Sequence, residues 1–183
     1  MGEESTSEIA EQHSDRRAVL ARLPLGWRVL HQTPWAGRPG AVVDHIAIGA
    51  SGVFVLVVED GQDGPEGPRD GTDALAAAEA VARLLPGLPR DRVHGVLVGA
   101  AHPAPWPEVD GVIRCESVDL LRLLRSRPSV LTAEEVAGVV GVVHVGLERA
   151  ERAERAGGLV VGPERAVEPR SRPQAWKRWF RRG

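Results

Sequence analysis

Residues 53–58, Val-Phe-Val-Leu-Val-Val, form a short run with no polar side chain on either alternate position. At six residues it is far below the ~20 apolar residues that span a bilayer. A strand of this kind must be covered on both faces, so it belongs at the centre of a sheet with helices on each side. Ala41–Ile48 reads as a second strand, with Val43, His45 and Ala47 on one face. Gly49-Ala-Ser-Gly52 between the two is short enough to make them a hairpin.

The remaining pattern adds helices and strands around that hairpin. Ser14 is placed to cap a helix over Asp15–Leu23, which Pro24 and Gly26 end. Trp27–Gln32 alternates as a strand, with Trp27 assigned to the core. Asp73–Leu85, rich in alanine and leucine and stopped by Pro86 and Gly87, predicts a helix, and Val93–Val98 and Val112–Cys115 predict strands. A proline-studded loop with Trp106 joins those strands. Ser117 and Thr132 are N-cap candidates for helices near Val118–Arg125 and Ala133–Arg155, the second with Glu135 completing a capping box. Gly138, Gly141 and Gly146 oppose that last helix by about 1 kcal/mol each. The order is α-β-β-β-α-β-β-α-α, an α/β sheet with flanking helices.

Charge divides the 183 residues further. Residues 1–15 sum to -5, 16–162 to -2 and 163–183 to +5, for a net charge of -2. We expect an acidic tail over 1–13, a folded body over 14–156 and a basic Pro/Arg/Trp-rich tail over 157–183, whose composition buries too little apolar surface to fold alone. The stretch 60–72, rich in Asp, Gly and Pro, is a long loop inside the body. The acidic start is the reverse of a signal peptide, and the expectation is a cytoplasmic protein.

Two absences limit the chemistry. Of the 23 basic residues, 22 are arginine, and the one lysine, Lys177, lies in the C-terminal tail. Tyrosine is absent, so the body has neither a lysine amine nor a phenol for catalysis. Cys115 is the one cysteine, which excludes an internal disulfide and any multi-cysteine metal site and reads as an inert buried thiol. A GC-rich genome would also favour arginine over lysine.

The residues Trp27-Arg-Val-Leu30, Val43-Asp-His-Ile-Ala-Ile-Gly49 and Gly52-Val-Phe-Val-Leu56, with Val109-Asp-Gly-Val112 further on, give the chain a family likeness. It resembles the nuclease-related domain (NERD) family of the PD-(D/E)XK superfamily over roughly residues 14–150. The resemblance implies a restriction-endonuclease-like fold, a central mixed sheet with flanking helices, and Mg²⁺-dependent phosphodiester hydrolysis. In that pattern an aspartate before the hairpin turn and an acid two residues before a lysine on the next strand hold the metal ion, and the lysine helps position the water or stabilise developing negative charge. Carboxylates suit Mg²⁺ because it is a hard cation that prefers oxygen.

Asp44 matches the first aspartate and His45 its usual neighbour. Val57 then stands where the acid belongs and Glu59 where the lysine belongs. Valine has no side-chain ligand, and glutamate reverses the lysine's charge. A reduced metal set of Asp44, Glu59, Asp60 and Asp15 is what the resemblance leaves, with Arg28 or Arg38 as a nearby cation. Against it stand the plainer readings: Asp44 as a structural aspartate, His45 as a packed, hydrogen-bonded histidine, and Glu59 and Asp60 as solvated strand-end acids.

Three functions follow as expectations: a catalytically degenerate module associated with nucleic acid or a partner, a residual metal-dependent nuclease, or a protein held at a membrane surface by its tail. As a helix, the tail would put Trp176, Trp179 and Phe180 on one face and Lys177, Arg178, Arg181 and Arg182 on the rest. Such a segment suits nucleic acid, an anionic membrane surface or docking onto the body, and a disordered tail is the alternative to all three.

Overall fold

The computed structural model describes residues 17–38, 40–59, 70–99, 105–106 and 108–156. Its centre is a six-stranded mixed sheet in the order β1-β2-β3-β4-β6-β5. The strands are β1 (Arg28–Pro34), β2 (Val42–Gly49), β3 (Gly52–Val58), β4 (Val93–Val98), β5 (Glu108–Val109) and β6 (Val112–Cys115). β1, β2 and β3 form an antiparallel meander; β4 lies parallel to β3, β6 parallel to β4, and β5 antiparallel to β6. The helices are α1 at residues 17–20, α2 (Gly71–Leu84), α3 (Leu120–Ser126) and α4 (Ala133–Arg155).

β3 takes the central place that its uninterrupted apolar sequence requires, and all seven of its residues are buried. Alternation sends Val53, Val55 and Val57 into one core and Phe54 and Leu56 into the other. The first core is closed by Ala74, Ala77 and Val81 of α2 and by Val136, Val139, Val143 and Leu147 of α4. Leu20 of α1 and Leu120, Leu123 and Leu124 of α3 close the second. The chain is thus a sheet between two helical layers, each filled by one face of β3.

Several boundaries differ from the sequence reading, each for a local reason. α2 starts at Gly71 rather than Asp73, because Asp70 is the N-cap and accepts hydrogen bonds from the amides of Thr72 and Asp73. β1 begins at Arg28 and runs on to Pro34, while Trp27 lies over Gly49, where a β-carbon would stand 2.4 Å from its ring. β5 is an added strand inside what reads as a loop, paired to β6 across the turn at Asp110 and Gly111, both with positive φ. A 3-10 turn, Ser117–Asp119, precedes α3, so that helix starts at Leu120. In β2, Val43 joins the α2–α4 core while Ala47 lies in the other, although both fall on one face by simple alternation. The ladder is interrupted between them, as described below.

α4 runs unbroken through its three glycines. The Thr132/Glu135 capping box forms as its spacing predicts: the Glu135 amide donates to Thr132 Oγ1 at 3.2 Å and the Thr132 amide to Glu135 Oε2 at 2.7 Å. Gly146 has a packing reason, since a β-carbon there would stand 3.1 Å from both methyls of Leu84 on α2. Gly138 and Gly141 have nothing within 4 Å.

The β2–β3 turn is anchored from outside. Ala50 O accepts from the amides of Val130 and Leu131, at 2.7 and 2.8 Å, and Ser51 Oγ donates to Leu124 O at 3.0 Å. The hairpin and the link between α3 and α4 are therefore fixed to each other.

Candidate functional site

Asp44 sits where the β2–β3 ladder ends. Backbone pairing stops at His45 with Leu56, and on the other side the β1–β2 register passes from His31/His45 to Thr33/Val43, skipping Gln32 and Asp44. Gln32 has a φ of 49°, the left-handed region that a non-glycine residue rarely takes. The Asp44 carboxylate fills the gap: its Oδ2 accepts from the Val58 amide at 3.0 Å, and the residue is 4% exposed. Asp44 thus acts as a side-chain rung where the main chain of β2 no longer supplies one.

Glu59 is at the same end of the sheet, one residue beyond Val58. Its amide donates to Val98 O at 2.9 Å, continuing the parallel pairing with β4. Its side chain lies across Gly99, whose missing β-carbon makes the room; an added one would stand 2.5 Å from Glu59 Cβ. Val57, between the two acids in sequence, is fully buried in the α2–α4 core. The structure thus brings Asp44 and Glu59 to one end of the sheet but turns Asp44 onto β3 and Glu59 towards β4.

The α2 N-terminus stands beside this end, with two guanidiniums. Arg38 Nη1 donates to Asp73 Oδ1 at 2.7 Å while its guanidinium lies 4.9 Å from the Trp35 ring centre. Arg114 on β6 approaches Gly71 so closely that a β-carbon there would be 2.9 Å from Nη2. Arg28 does not belong to the site. It pairs with Ile48, at the opposite end of β2 from Asp44, and donates to Trp27 O.

Asp15 and Asp60 lie outside the described residues, as do Trp176, Lys177, Arg178, Trp179, Arg181 and Arg182 and both tails. Among the described residues no group of three or more His, Cys, Asp or Glu is arranged to hold a metal ion. The described donors therefore do not fit a Mg²⁺ site, which needs several converging oxygens. No helix among them is long and apolar enough to cross a membrane.

His45, packed and hydrogen-bonded as its place in the strand alternation suggests, adjoins Asp44, and its partner is a second histidine that the sequence does not point to. His31 and His45 are cross-strand partners, with Nδ1 to Nδ1 at 2.9 Å and rings edge to face at 4.9 Å. One ring must donate and the other accept, so the contact fixes opposite tautomers while both are neutral. Their strand alternation was the available signal, since the hairpin register decides which histidines meet. Burial, then the nearby Arg17, lowers the His31 pKa from its usual value. Across the sheet, His94 stacks on Phe54 at 5.0 Å; burial lowers its pKa too, opposed by Glu108, which lies 3.4 Å from Nδ1.

A lowered histidine pKa means that the unfolded chain takes up protons first as pH falls. Both groups therefore reduce stability as pH drops below about 6.5, and neither contributes well above that value. The urea midpoint should fall between pH 7.5 and 5.5, and His94→Gln should flatten that slope. A slope unchanged by the substitution would assign the pH dependence elsewhere.

Cys115 is fully buried in the α1–α3 core. Burial first, then Asp119 and Glu116, push its thiol up to about 12. At neutral pH it is an un-ionised packing group, as its strand context implies.

Compared with known proteins, the chain matches no family model, no curated protein and no solved structure.

Proposed function

We propose that this chain is a catalytically degenerate nuclease-related domain with a restriction-endonuclease-like sheet, acting as a nucleic-acid-associated or partner-binding module. The observation that carries the reading is Val57: the position that would have to supply a metal-binding acid is a core residue with 0% exposure. An acid there would be buried against α2 and α4, where an unpaired carboxylate is strongly disfavoured. The antiparallel meander followed by a parallel strand through α2 supports the fold assignment. Asp44 and Glu59 at one end of β2 and β3 support a site once organised for chemistry and now held by structural contacts.

The test uses the full chain with supercoiled and linear DNA in Mg²⁺ or Mn²⁺, beside Asp44→Asn, which keeps an acceptor for the Val58 amide. No metal-dependent cutting is expected from either protein. Cutting by the parent that Asp44→Asn abolishes would establish the nuclease reading instead. Fluorescence anisotropy with labelled DNA then separates the binding partners. Saturable binding that weakens steeply with salt indicates nucleic acid, and its absence leaves a protein partner.

A further inference from the structure

The outer face of α4 has no partner among the described residues, yet its composition is unlike that of a solvated helix. Its inward line is Val136, Val139, Val143 and Leu147, all buried. On the opposite side Glu134, Gly138, Gly141, Val145, Glu148 and Arg152 succeed one another at spacings of 4, 3, 4, 3 and 4, the repeat of a single helix face. Val142 and Val145 are 37% and 45% exposed. Gly138 and Gly141 leave a shallow notch beside them, with no atom within 4 Å of where their β-carbons would be. Each glycine weakens the helix, and packing among the described residues accounts for neither.

We infer that this face is a self-association surface on which a second copy of the chain packs its own α4 antiparallel about a two-fold axis. Charge selects both the occupant and the direction. The acid Glu134 is exposed at the start of the face, and at its end the exposed bases Arg149 and Arg152 outnumber the acid Glu148 by two to one. When Gly141 faces Val145 of the second copy, the same register puts Glu134 opposite Arg152 at both ends. It also seats each valine against the other helix's glycine, where the missing β-carbons let the backbones approach. A parallel pairing would oppose Glu134 to Glu134 and Arg152 to Arg152. Such a surface is isologous, each copy supplying both halves of every contact. Arg152 already donates to Glu148 Oε2 at 2.7 Å within its own helix, which holds its guanidinium on this face. Two valines and a glycine notch make a small apolar centre, so the dimer is of the weak, concentration-dependent kind.

The experiment is sedimentation equilibrium of the full chain over low to high micromolar concentrations. The parent should pass reversibly from monomer to dimer. Val145→Glu should leave it monomeric throughout, and Glu134→Arg or Arg152→Glu should each weaken dimerisation several-fold. The double variant, Glu134→Arg with Arg152→Glu, should recover most of the parental association, which damage to folding cannot imitate. Circular dichroism of each variant at the lowest concentration checks that α4 stays helical. A parent that is monomeric at every concentration overturns the inference. So does a dimer indifferent to Val145→Glu, or a double variant weaker than both single ones.

Discussion

Gly95→Val is expected to be the most damaging single substitution in the chain, costing about 3 kcal/mol or more and lowering the melting temperature by roughly 10 °C. Gly95 is buried in β4, between Val55 of β3 and Val112 of β6. A β-carbon there would stand 2.7 Å from Ala74 O and 3.0 Å from Ala74 C. Both atoms are main chain in α2, so no rotamer change relieves the collision; the helix must lift from the sheet. That would also separate Ala74, Ala77 and Val81 from Val55 and Val57, opening the larger core. Thermal unfolding followed by circular dichroism reads the effect, with Val118→Ala, at a residue 81% exposed, as the near-neutral comparison. A Gly95→Val protein that melts within a degree or two of the parent would mean that α2 does not pack as closely as described.

Asp44→Ala is expected to destabilise the fold by about 2–3 kcal/mol, because it leaves the buried Val58 amide without its acceptor. Asp44→Asn keeps a carbonyl oxygen in place and should lose less. The sign of the change separates two roles. A carboxylate kept for metal binding is commonly held at a cost to stability, so its removal stabilises the protein. A carboxylate that completes the hydrogen bonding of β3 does the reverse. Urea denaturation decides between them through the midpoint, provided that the slope with denaturant is unchanged. An Asp44→Ala protein as stable as the parent would remove the structural role assigned here, and with it one support of the degenerate-site reading.

The elements that followed from sequence are those in which local chemistry and tertiary need agree. Val53–Val58 has no polar face to expose, so only a central strand satisfies it. The Thr132/Glu135 box satisfies two otherwise unpaired amides within four residues of chain, and no distant partner is involved. What was misread depended on distant contacts. β5 is only Glu108 and Val109, both exposed, and it is a strand because β6 is beside it, not because of its own pattern. Val43 follows the alternation of β2 in sequence yet joins the other core, because the ladder breaks at Asp44.

The candidate site divides in the same way. Asp44 and Glu59 are legible in the sequence as the acids near the hairpin, and Val57 as an apolar position of the central strand. Arg28 and Arg38 are both candidate cations in the sequence, and only Arg38 stands at this end of the sheet. Antiparallel pairing carries Arg28 to the far end of β2 instead. The His31–His45 contact was hidden for a related reason, since fourteen residues of separation say nothing until the register makes them neighbours.

Sequence alone determined the two-sided central strand, the capping of α4 and the lack of a lysine or a phenol in the body, because each is a property of residue type or of spacing within a few positions. The tertiary structure decided that Asp44 turns its carboxylate onto β3 and Glu59 lies across Gly99, why Gly95 must be glycine, and which glycines of α4 are left facing outward. Those depend on which backbone lies within 3–4 Å of a given atom. That distance is set by strand register and helix packing, which no local pattern encodes.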